Sequence, residues 1–254
     1  GATIQYGTFK YSRDAGIFAQ SHAIGYNIYS NVFRYNGGSA IAVDTQALSG
    51  AKAYIQANEV VQNYINPVVT LDLGGSPGGQ IVVGEGSTNS QLLNNFIDGE
   101  YAYGDLPYPY FDQFVAGIEI YGSSHRMEGN YVRRHTGPGI HAVGLNNSEI
   151  IGGANSWEIR ENYFDGIAIL NLAAIALKTN GVAISGIRAN SNGWNGIHVE
   201  SNGSGTITNV NITDPVSISG NGDAPICRGV YSPALGVTVS PSPPWTVADG
   251  CVVH

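Results

Sequence analysis

Charge is what this sequence has least of. Asp, Glu, Lys and Arg make up 12 % of its 254 residues, against roughly 25 % in an average soluble protein. With 43 % hydrophobic and 10 % aromatic residues, that composition supports packing and excludes a self-repelling disordered chain. Positive charge is the scarcer sign: 11 Lys and Arg stand against 19 Asp and Glu, a net charge of −8. Arg133-Arg134 is the one adjacent basic pair. There is no basic stripe to track phosphates, and nucleic acid is excluded as a partner. No run approaches ~18 consecutive apolar residues, which excludes a membrane-spanning helix. The most apolar run, Gly166 to Leu177, is short and interrupted by Asn171.

Cysteine is nearly absent too. Cys227 and Cys251 lie in one Pro/Gly-rich tail. In an exported protein they are expected to form a single disulfide, worth roughly 3 kcal/mol by chain entropy. A His/Cys metal site is not expected, because the histidines lack close paired spacing and the cysteines stand alone. No secretory leader is visible. There is no serine-nucleophile motif, and the "LGGSPGG" of residues 73–79 lacks the ending of a phosphate loop and reads as a turn.

Glycine is abundant, 35 residues, but without the three-residue period of collagen. It marks an internal repeat. A small residue precedes an alternating apolar pair in Gly16-Ile17-Phe18-Ala19, Ala40-Ile41-Ala42-Val43, Gly117-Ile118-Glu119-Ile120, Gly139-Ile140-His141-Ala142, Gly166-Ile167-Ala168-Ile169 and Gly196-Ile197-His198-Val199. Weaker copies are Val69-Thr70-Leu71 and Gly229-Val230-Tyr231. A second half places Asn before an apolar or aromatic residue, as in Asn31-Val32-Phe33, Asn95-Phe96-Ile97, Asn130-Tyr131-Val132 and Asn162-Tyr163-Phe164. Alternation over four or five residues predicts short strands with one buried face. Gly and Asn between them permit sharp turns. A coil of about 22 to 30 residues with three short strands is too short for a propeller blade and fits a parallel β-helix, whose coils stack about 4.8 Å apart. Asn31, Asn63, Asn95, Asn130 and Asn162 are then expected to form a turn ladder. Phe33, Phe96, Tyr131 and Phe164 are expected to stack at a corner.

The segments "RENYFDGIAIL" (160–170) and "EGNYVRRHTGPGIHAV" (128–143) resemble the right-handed parallel β-helix repeats of the pectin-lyase-like superfamily. The resemblance covers residues 4 to about 231. It implies an all-β, single-stranded, right-handed parallel β-helix solenoid of about eight or nine coils over residues 1–231, and a carbohydrate partner. Residues 232–254, with Pro233, Pro241, Pro243, Pro244 and Trp245, are expected to cap its C-terminal end. The N-terminal end shows no capping helix, which suggests a missing upstream domain or an oligomer partner.

Strand alternation sorts side chains by face. The residue after each repeat Ile points outward, giving a column of Phe18, Ala42, Thr70, Glu119, His141, Ala168 and His198. A second outward column, two residues on, holds Gln20, Asp44, Asp72, Tyr121, Val143, Leu170 and Glu200. In a chain so poor in charge, the gathering of Asp44, Asp72, Glu119, Tyr121 and His141 on one face is the strongest catalytic candidate. Stacked carboxylates repel, so at least one pKa is expected to rise, which suits general acid and base work. A carboxylate pair about 5 Å apart suits retention in glycoside hydrolysis, and about 6.5–9.5 Å suits inversion.

The insertion at 99–116 brings Tyr101, Tyr103, Tyr108 and Tyr110 immediately before the Glu119 strand, as candidate sugar-stacking groups. Arg133 and Arg134 are candidates to bind a uronate and stabilise its enolate in a lyase or epimerase, with His141 and Tyr121 exchanging protons. Asp44 and Asp72 are then candidate calcium ligands. The expectation is a secreted or cell-surface polysaccharide-degrading enzyme: a glycoside hydrolase with Glu119 and Asp72 as its acid/base pair and no cofactor. A calcium-dependent uronate lyase or epimerase comes second. A non-catalytic glycan-binding or tailspike-like β-helix is the third reading.

Overall fold

Repeats fold into short strands, two of which merge into the single strand Ile140–Ile151 in one central coil, and equivalent strands of successive coils pair in parallel. A computed structural model of the chain describes residues 1–19, 25–43, 52–63, 78–84, 86–100, 115–153, 158–171, 178–201, 206–229, 237–240 and 247–251. No helix occurs among them, and hence none long and apolar enough to cross a membrane.

Three columns, inward-facing through their central members, account for the repeat. In the first, Ile17, Ile41, Ile81, Ile118, Ile140, Ile167, Ile197, Ile226 and Val247 are successive register partners. In the second, the sequence of partners is Ile4, Ile28, Ile55, Leu92, Met127, Ile150, Ile184, Ile212 and Val239. The third runs Phe9, Phe33, Val60, Ile97, Val132, Ile159 and Ala189. The central members of all three belong to one continuous buried core. Each fully buried Ile, Leu or Val contributes about 1.5–3 kcal/mol. The solenoid is therefore held together by like side chains stacked on like. Among the described residues the first two columns join into one large parallel sheet and the third forms a second. Within the segment expected as a cap, Val237–Ser240 and Val247–Cys251 continue the sheet, pairing with Thr206–Thr213 and Ile226–Gly229.

The repeat's glycine has a steric cause. A Cβ at Gly117 would lie 2.7 Å from the carbonyl oxygen of Gly139, one at Gly139 2.8 Å from that of Gly166, one at Gly166 2.6 Å from that of Gly196, and one at Gly196 2.6 Å from that of Pro225. At these four rungs the coils approach too closely for a side chain, whereas Ala40 and Gln80 occupy the same position in earlier coils.

Two sharp corners per coil flank the third strand. Each consists of one left-handed residue followed by a ladder residue. Ser30, Ala57, Asn94 and Gly129 take positive φ before Asn31, Asn58, Asn95 and Asn130. Tyr35, Gln62, Arg134, Glu161 and Ser191 do so before Asn36, Asn63, His135, Asn162 and Asn192. The Asn side chain points inward and bridges coils. Asn58 Nδ2 donates to Asn95 Oδ1 at 3.0 Å, and Asn95 Nδ2 to Asn130 Oδ1 at 2.9 Å. Asn162 Nδ2 donates to Asn192 Oδ1 at 2.9 Å. The expected single ladder is thus two: Asn31, Asn95 and Asn130 belong to one corner, Asn63 and Asn162 to the other. Of the aromatics expected to stack at a corner, Phe96 and Tyr131 do so with centroids 5.3 Å apart, whereas Phe33 stacks on Phe9 at 4.9 Å inside the third column and Phe164 meets Trp194 edge to face.

Candidate active site

The outward face of the first column carries the chemistry. Its register partners are Phe18, Ala42, Val82, Glu119, His141, Ala168, His198, Cys227 and Ala248. Val82 stands between Ala42 and Glu119, where Thr70 was expected. The strand following Ile41–Val43 in this column is Gly79–Val83, so Val69-Thr70-Leu71 is not the repeat copy that the alternation suggests. The motif failed there because "QIVV" lacks the preceding Gly-Ile signature.

Glu119 and His141 are adjacent register partners, with His141 Nδ1 4.0 Å from Glu119 Oε1. The Tyr121 hydroxyl donates a short hydrogen bond to the same Oε1. Alternation places Tyr121 two residues along the same face, which is why the two side chains meet. These groups were expected on the outer face of the sheet, and there Glu119 is 2 % exposed and His141 1 %. Burial lowers the His141 pKa to about 4, a nearby Asp165 charge opposing it. The imidazole is therefore neutral near pH 7 and able to accept a proton. Glu119 has Val82 and His141 as its column neighbours, so no carboxylate stands beside it in that column. Asp44, Asp72, Tyr101, Tyr103, Tyr108 and Tyr110 lie outside the described residues.

A second polar cluster, which the sequence reading did not single out, lies further along the same column. His198 Nδ1 is 3.2 Å from Asp165 Oδ2, and its Nε2 is 3.1 Å from Glu200 Oε2. Asp165 Oδ1 accepts from the backbone N–H of Asn195 at 3.1 Å and from Asn195 Nδ2 at 2.8 Å. Burial opposes charge on His198. The hydrogen bond and charge of Asp165, with the charge of Glu200, outweigh it and raise the pKa. The signal was present in the alternation His198-Val199-Glu200; Asp165 was hidden because it belongs to the corner before Gly166.

Arg133 and Arg134 are placed elsewhere. Both belong to the third-strand corner and bind Asp98: Arg133 Nε donates to Oδ2 and Arg134 Nε to Oδ1, each at 2.8 Å. Burial opposes ionisation of Asp98. The Arg134 hydrogen bond, the Glu100 N–H and both arginine charges nevertheless hold it below the usual carboxylate range. Arg133 also lies over the Phe96 and Tyr131 rings, at 5.5 and 5.3 Å. The pair clamps a buried carboxylate on another sheet and is not brought to Glu119. His125 is likewise structural: its Nδ1 accepts from the Ser90 N–H, and its Nε2 lies 2.8 Å from the Tyr121 carbonyl.

Cys227 is buried and disulfide-bonded; the side chain of Cys251 lies outside the described residues. Among the described residues, no three His, Cys, Asp or Glu converge as a metal site would require.

No family model matches the sequence, and no curated protein matches it. Two solved structures are similar in fold. The A-module of the mannuronan C-5 epimerase of Azotobacter vinelandii superposes with a TM-score of 0.55 at 14 % identity, over 94 % of this chain and 57 % of that one. Tailspike protein 3 of bacteriophage CBA120 gives a TM-score of 0.39 at 14 % identity, over 92 % of this chain and 32 % of that one. The chain thus spans little more than half the length of the epimerase module. Stacked coils, inward aliphatic columns and the likeness to the epimerase module together identify the chain as an all-β parallel β-helix.

Proposed function

We propose that this is a carbohydrate-active β-helix protein that works on a uronate polysaccharide by proton transfer, as a lyase or epimerase does. One observation carries the reading. Glu119 Oε1 receives the Tyr121 hydroxyl and has the neutral His141 imidazole 4.0 Å away. Removing the proton next to a carboxylate needs a base that is unprotonated near neutral pH, and returning one needs a weak acid. His141 suits the first role and Tyr121 the second, with Glu119 orienting the phenol. Hydrolysis needs a second carboxylate facing the first, and the expected partner of Glu119, Asp72, lies outside the described residues. Calcium is not assigned a step, since its expected ligands Asp44 and Asp72 lie outside the described residues. A secreted or cell-surface setting is supported by the disulfide at Cys227, because such bonds persist in oxidising compartments.

Glu119 and His141 are buried, at 2 % and 1 % exposure. The test is a panel of acidic and neutral polysaccharides incubated in D2O. Deuterium entering the carbon next to the carboxylate, or a conjugated double bond, is the expected result. Tyr121→Phe and His141→Gln should each lower kcat by about 10²–10⁴-fold. New reducing ends without a double bond would identify a hydrolase instead, and no change in any polymer would end the enzymatic reading.

A further inference from the structure

We infer that Asp165, His198 and Glu200 form a binding subsite for a neutral carbohydrate hydroxyl, on the same column as Glu119 and His141. The inference rests on the polysaccharide reading above, and extends it to residues that the proton-transfer step does not use.

The geometry has three parts. First, the imidazole is held fast. His198 Nδ1 contacts Asp165 Oδ2, and Asp165 is in turn held through Oδ1 by two hydrogen bonds from Asn195. Asn195 Oδ1 accepts from the Ala224 N–H at 3.2 Å, which fixes the orientation of its amide. Second, the outer ends of the array have only each other. His198 Nε2 and Glu200 Oε2 are buried and form an ion pair at 3.1 Å, and neither makes a well-aligned hydrogen bond. Buried polar atoms are rarely left so poorly bonded, because each loses its hydration with little compensation. Third, the position is in line with the candidate active site. Register runs from Glu119 through His141 and Ala168 to His198. Three rungs correspond to about 14 Å, a distance that a short oligosaccharide spans. The small Ala168 leaves no bulky side chain between the two imidazoles.

The chemistry of the pair selects the ligand. An imidazole N–H donates and a carboxylate oxygen accepts, and a single hydroxyl can satisfy both at once. A substrate carboxylate cannot: it would meet the like charges of Asp165 and Glu200. The subsite therefore takes a hydroxyl-bearing face of a sugar and rejects an acidic one.

The experiment uses oligosaccharides of graded length cut from the polymer that the panel identifies. Glu200→Gln and His198→Gln are expected to raise KM roughly tenfold for oligomers long enough to reach from Glu119 to His198, an effect corresponding to one lost hydrogen bond. The shortest substrates and kcat should be unaffected. Tyr121→Phe is the contrast, lowering kcat at every length. If Glu200→Gln and His198→Gln alter thermal stability but leave KM unchanged at all lengths, the site holds a buried water and the inference is wrong. A fall in kcat at every length would equally overturn it, by placing His198 in the chemistry. A direct measurement needs no variant: the His198 imidazole resonances of the native protein, titrated with the same oligomers, should shift with long ones and not with short ones. If no polymer in the panel is converted, the proton-transfer reading fails alone. Calorimetry with neutral oligosaccharides then tests the subsite: binding lost in Glu200→Gln supports it, and binding unchanged in Glu200→Gln, or none to the native protein, refutes it.

Discussion

His141 and His198 occupy equivalent outward positions two rungs apart, yet their surroundings push them in opposite directions. His141 loses its charge to burial, its pKa falling to about 4. His198, equally buried, has its pKa raised instead, because Asp165 and Glu200 flank it. Residue type and face were readable from the alternation; protonation was not, since Asp165 arrives from a corner outside the strand. Gly166 illustrates the reverse case. Its place in the repeat was obvious in the sequence, and the structure supplies the reason, a Cβ 2.6 Å from the Gly196 carbonyl. Gly166→Ala should destabilise the protein by about 1–3 kcal/mol through overpacking, read as a lower urea midpoint. An unchanged midpoint would mean that the coils can separate without loss.

At the scale of elements, the corner is the repeated unit: a left-handed residue, then an inward Asn that bonds the next coil. Asn95 accepts from the Asn58 backbone and side chain, and donates to Ile55 O and Asn130 Oδ1. Asn95→Ala leaves several of these buried groups unsatisfied. A loss of about 2–4 kcal/mol is expected, at roughly 1–3 kcal/mol for each orphaned group. Asn221→Ala, in the part-buried end of the other ladder, should cost less. Equal losses by chemical denaturation would contradict the burial argument. The ladder's existence was legible in the Asn-aromatic repeat. Its division into two was not, because both corners use the same residue and only the strand between them separates the sets. His135 shows the tolerance of the device. It takes an Asn position, its backbone N–H donating to Asn162 Oδ1 at 3.3 Å.

For the whole molecule, pH reports how the histidines are buried. His125, His135 and His141 all have pKa values lowered to about 4, mainly by burial. Above their unfolded value of about 6.5 both states are neutral and stability does not depend on these groups. Between about 6.5 and 4 the unfolded chain binds protons that the folded chain does not. Stability therefore falls as the solution is acidified, by up to roughly 3 kcal/mol per histidine. His198 carries the opposite sign. Its contribution is complete below the unfolded value and fades as pH rises through its raised folded pKa. Urea midpoints between pH 8 and 4 should fall steeply on the acid side, with a proton uptake above one on unfolding. A flat profile from about 6.5 to 4 would show that these histidines are not buried neutral.

The sequence by itself determined the coil. Glycine before an isoleucine, alternation over a few residues and a recurring Asn are local properties, and each copy repeats the same steric and hydrogen-bonding demands. Tertiary structure alone decided which copies stack. Gly79–Val83 takes the rung that the sequence had assigned to residues 69–71, because register is set by neighbouring coils and not by resemblance to a motif. It also decided that the polar column is buried, that Arg133 and Arg134 belong to Asp98, and that Asp165 reaches His198. Those facts depend on what lies beside a residue across coils some thirty positions away, and no local pattern carries that information.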